Sequence, residues 1–297
     1  MAVDWGRRVL TVLMGVPTAL WLLSSSVGML LLTTTVCCLT LVEYTNTISP
    51  QIVAQPMAAN LKQPHRVLLI STGAVLCVGA WSGDKLLYDT LSFGATLAII
   101  TIHIATTTKM NQTAMLQLLL DLFALIYIVN GFSHAILLRY SSKKYGYGLQ
   151  ILGLCCAWVC DTGALIAGTF MGHVKLAPLV SPGKTLLGAI AGVVSSVAMA
   201  LAIFFLSSHY SAVLPWTYDI LPSAHVAPLI HQVMLGAVLG ILCIVGDLVE
   251  SFVKRVAGVK DSGVFFPGHG GLLDRMDSFL FIAPYLYFHS QYFVPAL

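Results

Sequence analysis

A few charged residues stand in this chain where an apolar sequence has least use for them. Asp247, Ser251 and Lys254 recur at i, i+4 and i+7, a spacing that puts all three on one face of a helix. Asp274 and Asp277 follow at i and i+3, so two more carboxylates point the same way. Carboxylates that converge with few amide donors suit a hard cation, Mg²⁺ above all, held together with substrate phosphates. Taken alone, Asp277 also fits the N-cap of a last helix, a reading that leaves Asp274 unexplained. Asp161, in CCAWVCDTGALIAG, and Glu250, beside Asp247 in CIVGDLVESFVKR, lie inside apolar runs. Charge is costly there and marks function by default. Asp89 and Asp121 read more simply, as carboxylates hydrogen-bonded to a neighbouring helix or near an interface.

The segment joining these carboxylates reads KRVAGVKDSGVFFPGHGGLLDR and brings Lys254, Arg255, Lys260 and Arg275 together. Gly268, Gly270 and Gly271 flank His269, and glycines let backbone N–H groups come close to phosphate oxygens. Cations, carboxylates and glycines in this order are the ingredients of a site for a metal-bound polyphosphate. A basic loop by itself would serve equally well to hold anionic headgroups. His269 reads equally as a hydrogen-bond donor or as a loop-shaping residue. A second polar segment, Ser181 to Thr185 (SPGKT), is expected to open a helix, with Ser181 as its cap and Pro182 in its first turn. The positive end of that helix, with Lys184 beside it, is a phosphate-binding end. It is not a Walker A loop, because Leu179 stands where the earlier glycine is required and no strand precedes it.

The elements that must position these groups follow from composition. Only 9% of the 297 residues are charged and 58% are hydrophobic, with a mean hydropathy of +0.88. So few charges cannot cover a water-facing surface, since soluble domains carry about 25%. Lipid is therefore the expected solvent, and an all-α polytopic membrane fold the expected class. Apolar runs long enough to span occur near residues 7–23, 26–44, 66–82, 86–106, 114–138, 148–170, 185–207, 228–252 and 277–295, using about 17–25 residues per span. The first run follows Arg7 and Arg8 and reads as a span, not as a cleaved signal, because no small-x-small site closes it. Nine spans place eleven of the fifteen Lys and Arg on the N-terminal side, and Lys85, Arg139, Lys143 and Lys144 on the other. The positive-inside rule then makes the N-terminus and the loops 171–184 and 253–276 cytoplasmic. The chain reads as one integral membrane unit, with N-terminal helices in 1–140 and the catalytic helices in 141–297. All seven cysteines sit in apolar runs without metal or disulfide spacing and read as small residues between helices. Gly188 to Gly192 and Gly236 to Gly240 are GxxxG runs, for which close helix contact is a sufficient role.

The run from Ser251 to Asp277 resembles the phosphatidate cytidylyltransferase (CDP-diacylglycerol synthase) family. It carries Ser251 with Lys254-Arg255, then Lys260-Asp261 with Gly263, then Phe266-Pro267, His269-Gly270-Gly271 and Asp274-Arg275 before Asp277. Asp161-Thr162-Gly163-Ala164 with Gly172 and Lys175-Leu176 resembles a second block, and Ser181-Pro182 with Lys184-Thr185 a third. Glu43 stands where the family often has an acidic residue. Two positions depart: Leu187 replaces a usual Glu and Thr169 a common Arg, so the resemblance carries no nucleotide-binding role to either.

The resemblance implies that CTP and phosphatidic acid give CDP-diacylglycerol and pyrophosphate, with Mg²⁺ and a monovalent cation such as K⁺. It also implies a multi-span fold that forms a homodimer in the bilayer, with no nucleic-acid partner. Asp247, Asp274 and Asp277, and more weakly Asp161, are expected to hold the metal. Lys254, Arg255, Lys260 and Arg275 are expected at the phosphates, with Asp261 and His269 in the same catalytic group. Ser181, Lys184, Thr185, Ser251, Gly270 and Gly271 are the expected substrate-binding residues. Rival readings are a cytidylyltransferase for another lipid phosphate, a cation transporter using Asp161 and Asp247, and a catalytically degenerate relative.

Overall fold

A computed structural model of the chain describes residues 17–19, 21–53, 59–141, 145–210, 221, 227–263, 265 and 270–293, without the side chains of 59–64 and 209–210. The architecture is helical. Long helices span α1 (Ser26–Ile52), α3 (Lys85–Thr106), α4 (Gln112–Ser141) and α5 (Gly146–Met171). They are joined by α2 (Ala59–Ala80), α6 (Leu186–Tyr210), α7 (Leu229–Val256) and α8 (Leu273–Tyr292). Among the described residues, six helices are long and apolar enough to cross a membrane: α1, α3, α4, α5, α6 through Ser208, and α7; a shorter apolar stretch, His65–Ala80, lies in α2. The expected first span, 7–23, lies mostly outside the described residues. The break after it is present, because Ser25 caps α1 by accepting from the Gly28 N–H at 2.9 Å.

The chain divides into two compact units. Unit 1 is Met1–Leu137 with Val253–Met276, and unit 2 is Leu138–Phe252 with Asp277–Leu297. Residues 253–276 group with the N-terminal helices in this division. Both α7 and α8 run through a division.

Unit 1 is held by polar ties set into an apolar core. The Tyr44 hydroxyl of α1 donates to the Leu120 carbonyl of α4 at 3.0 Å. The Tyr88 hydroxyl of α3 bonds the Asn130 side chain at 3.1 Å. Asp121 and Asp89 behave as expected: Asp121 lies 2.7 Å from His103 on α3, and Asp89 pairs with Lys85 one turn away.

In unit 2 the small residues let α5, α6 and α7 approach backbone to backbone. A Cβ on Gly188 would meet the Ala164 carbonyl at 2.8 Å, and one on Gly192 the Cys160 carbonyl at 3.0 Å. A Cβ on Gly236 would lie 2.7 Å from Val197 Cα, and one on Gly240 2.9 Å from Val193 Cα. The cysteines fill the same seams. Cys156 donates to the Ser196 carbonyl and Cys160 to that of Gly240, each at 3.6 Å, and Cys243 Sγ lies 3.6 Å from the Ala157 carbonyl oxygen. Packing of this kind fixes the helix ends that carry the charged residues.

The SPGKT segment corrects one expectation. Ser181–Thr185 is strand β2, paired antiparallel with β1 (Lys175–Ala177). Helix α6 starts at Leu186, and Thr185, not Ser181, takes the capping role, its hydroxyl accepting from the Gly188 N–H at 3.1 Å. Buried Thr185 seats against Gly168 of α5 and Gly172 just past its end, where a Cβ would strike its side chain. The local signal for a helix start was real but belonged to the last residue of the motif. The pairing with Lys175–Ala177 claims the rest.

Candidate active site

In unit 2 the end of α7 presents Asp247, Glu250 and Ser251 at i, i+3 and i+4. Ser251 donates to Asp247 Oδ1 at 3.2 Å. Lys184, carried on β2, forms an ion pair with the other oxygen of Asp247. Both partners keep about a quarter of their side-chain surface exposed, 25% and 29%. Asp277 of α8 completes the group: Asp247, Glu250 and Asp277 each offer a carboxylate oxygen, and the three oxygens lie within 4.8 Å of one another. Glu250 and Asp277 are buried, 1% and 6% exposed. The approach of α8 depends on Gly246, where a Cβ would lie 2.6 Å from the Asp277 carbonyl oxygen. The Asp277 carboxylate also accepts from the Ser278 N–H at 2.7 Å, while the Ser278 hydroxyl anchors to the Cys243 carbonyl at 3.1 Å. Three carboxylate oxygens in this space form a hard, all-oxygen donor set that fits Mg²⁺. Asp161, the weaker metal candidate, accepts from the Cys243 thiol at 3.3 Å.

Unit 1 uses its charged residues differently. Lys254 and Asp274 form an ion pair at 2.5 Å, with side chains 13% and 10% exposed. The other Asp274 oxygen accepts from the N–H groups of Ser262 at 3.0 Å and Gly271 at 2.7 Å. Glu43, far away in sequence on α1, accepts from the N–H groups of Leu272 at 2.7 Å and Leu273 at 3.2 Å. Two carboxylates thus satisfy the open N–H groups that start α8. The glycines make this approach possible. Gly270 has φ +82, and its Cβ would lie 2.7 Å from Asp274 Oδ2. A Cβ on Gly271 would fall 2.6 Å from the Gly263 nitrogen and 2.7 Å from Glu43 Oε2. These close contacts are between backbone and the protein's own carboxylates.

Of the sequence-predicted residues, the structure brings Lys184, Asp247, Ser251 and Asp277 together in unit 2. Lys254, Asp274, Gly270 and Gly271 come together in unit 1. Arg255, Lys260, Asp261 and Arg275 are exposed, and Ser181 is half-buried on β2. His269 lies outside the described residues. The Thr169 hydroxyl turns back to the Leu165 carbonyl of its own helix at 2.8 Å, and Leu187 is 38% exposed in the first turn of α6. Glu250, marked in the sequence as a charge inside an apolar run, was not among the expected metal ligands; its i+3 spacing from Asp247 was the further signal. Glu43 was marked only by the acidic position it shares with the resembled family.

The chain is helical, with six helices among the described residues long and apolar enough to cross a membrane, an acidic cluster at the ends of α7 and α8, and Lys184 beside it on β2. The chain belongs to the cytidylyltransferase family, whose profile it matches over residues 6–293. It is similar to three curated proteins named phosphatidate cytidylyltransferase. That of Synechocystis sp. is 40% identical over 152 residues, 51% of this chain and 46% of the relative. That of Bacillus subtilis is 40% identical over 167 residues, 56% and 55% of the two chains. That of Staphylococcus saprophyticus is 31% identical over 208 residues, 70% of each. The aligned stretch thus spans about half the length of two of these relatives and more of the third.

Proposed function

We propose that this protein transfers a cytidylyl group from CTP to phosphatidic acid, giving CDP-diacylglycerol and pyrophosphate. The observation that carries the reading is the meeting of Lys184 with Asp247, Glu250 and Asp277 in a chain of the cytidylyltransferase family. A phosphate oxygen of phosphatidic acid attacks the α-phosphorus of CTP. The bond from that phosphorus to the α–β bridging oxygen breaks, and pyrophosphate leaves with the electron pair. The lipid phosphate is already ionised at neutral pH, so no general base is needed. The obstacle is repulsion between anions, and catalysis here is positioning and charge neutralisation. Mg²⁺ held by Asp247, Glu250 and Asp277 supplies neutralisation of the triphosphate when bound. Lys184, on a short strand, is paired with Asp247 until a phosphate competes for it. Ser251 fixes the Asp247 carboxylate. Arg255, Lys260 and Arg275, exposed near the start of α8, suit the outer phosphates and the lipid headgroup.

The remaining features of the reading are nine spans, a cytoplasmic N-terminus and cytoplasmic loops at 171–184 and 253–276. They are supported by the distribution of Lys and Arg, with CTP available on that side. A homodimer and a monovalent cation such as K⁺ are supported by the family resemblance alone. The test is purified protein with labelled CTP, phosphatidic acid and Mg²⁺, scored for lipid-soluble cytidine and released pyrophosphate. Product in the phosphatidic acid arm is the expected result. Product only with an isoprenoid lipid phosphate reassigns the acceptor, and no product across acceptors and cations overturns the reading.

A further inference from the structure

Three helices of unit 1 bring together a group of side chains that the proposed reaction does not use. His65 on α2, His103 on α3 and Asp121 on α4 are all buried, 6%, 4% and 4% exposed. Each offers a ligand atom, and the three atoms lie within 4.8 Å of one another. His103 Nε2 is 2.7 Å from Asp121 Oδ2. The other Asp121 oxygen accepts from Gln117 Nε2 at 3.0 Å. The two imidazole rings lie with centroids 4.1 Å apart, tilted by 40°.

The hydrogen bonds fix the state of His65. The Thr106 hydroxyl donates its single proton to the Ile102 carbonyl at 2.6 Å. Its oxygen therefore accepts from His65 Nε2, 2.9 Å away. That tautomer leaves Nδ1 of His65 as a bare lone pair, and among the described residues this buried atom has no hydrogen-bond partner. An unanswered buried acceptor is costly, and a buried carboxylate needs a compensating positive charge. One cation answers both. Imidazole donors select zinc-class transition metals over Mg²⁺ or Ca²⁺. Two histidines and one carboxylate are a familiar three-ligand zinc set with a fourth position left over. The outer partners are present too: Thr106 orients His65 and Gln117 orients Asp121, as such sites require. An open cavity of about 550 Å³ reaches His103, lined also by Thr107, Met110, Asn111, Gln112 and Met115, and it provides the entry path.

We propose that His65, His103 and Asp121 form a binding site for one zinc-class divalent metal ion. The ion pins α2, α3 and α4 together, and its remaining position opens to the cavity. The site uses none of the residues assigned to cytidylyl transfer, so it stands or falls independently of that reaction.

The experiment uses the full chain in detergent, stripped with chelator, re-equilibrated with Zn²⁺ or Co²⁺ and desalted. Elemental analysis is expected to find about one zinc per chain. Co²⁺ is expected to give the intense visible absorption of a low-symmetry, four-coordinate site, without thiolate charge-transfer bands. His65→Gln and Asp121→Asn are expected to lose the ion, and Asp247→Asn to keep it. Gln117→Leu, which removes only an outer partner, is expected to weaken binding about 10–100-fold. The proposal is overturned if the wild type retains no zinc, or if folded His65→Gln and Asp121→Asn proteins bind as the wild type does. Should those variants fail to fold, thiolate bands or a weak octahedral Co²⁺ spectrum in the wild type overturn it instead.

Discussion

The two charged clusters, one in each unit, use the same residue types to opposite ends. In unit 1 both oxygens of Asp274 are met by fixed donors, Lys254 on one and the Ser262 and Gly271 N–H groups on the other, and Oε2 of Glu43 is met by the Leu272 and Leu273 N–H groups. That is a clasp that builds the start of α8. In unit 2 three carboxylates converge on one small space, with Lys184 paired to one of them. Like charges at that separation repel, and the arrangement is favourable with an added cation. One cluster directs its charge to the protein's own backbone, and the other is the one that the proposed reaction assigns to a metal and phosphates. Carboxylate spacing alone does not separate the two roles. Asp274 and Asp277 are three residues apart on one helix and fall on opposite sides of the distinction.

Mutations can break this comparison. The largest effect is expected in unit 2: Asp247→Asn or Asp277→Asn should lower CTP-dependent turnover about 10²–10³-fold. Membrane insertion and melting temperature should stay near wild type. Normal turnover in both would remove the metal assignment. Lys184→Gln comes next, with a fall in turnover of about 10²-fold at unchanged stability, partly restored by Lys184→Arg. In unit 1 the readout changes from rate to stability. The Lys254→Ala and Asp274→Ala pair should show a coupling of about 1–3 kcal/mol in a double-mutant cycle of unfolding. No coupling would free Lys254 for the phosphates, its expected role from sequence. Glu43→Ala leaves two N–H groups unanswered and should cost about 1–3 kcal/mol. Smallest is Gly270→Ala, which forces a side chain into the left-handed region at about 1–2 kcal/mol, plus whatever Asp274 must yield.

Much of this was legible in the sequence where the signal is local. The apolar runs gave helices, the Gly and Cys positions gave the seams of unit 2, and the Asp247–Ser251 spacing gave a hydrogen bond within one turn. The partners that complete each cluster were not legible, because they are joined by tertiary packing. Nothing periodic links Glu43 to Leu272, or Lys184 to Asp247. SPGKT misled for the same reason: its capping chemistry is local, while the pairing that makes it a strand depends on Lys175–Ala177. Asp121 was correctly read as a bonded carboxylate, but His65, which approaches from another helix, has no mark in the pattern at all.

The most direct test is the Mg²⁺ dependence of CDP-diacylglycerol formation in two variants, Glu250→Gln and Asp274→Asn. The account predicts that Glu250→Gln raises the half-saturating Mg²⁺ about tenfold or more, equivalent to roughly 1.4 kcal/mol, with little change in melting temperature. Asp274→Asn should lower the melting temperature and leave the Mg²⁺ dependence in place. The reverse pattern, with Mg²⁺ affinity following Asp274 and indifferent to Glu250, would contradict the division between clasp and catalytic centre.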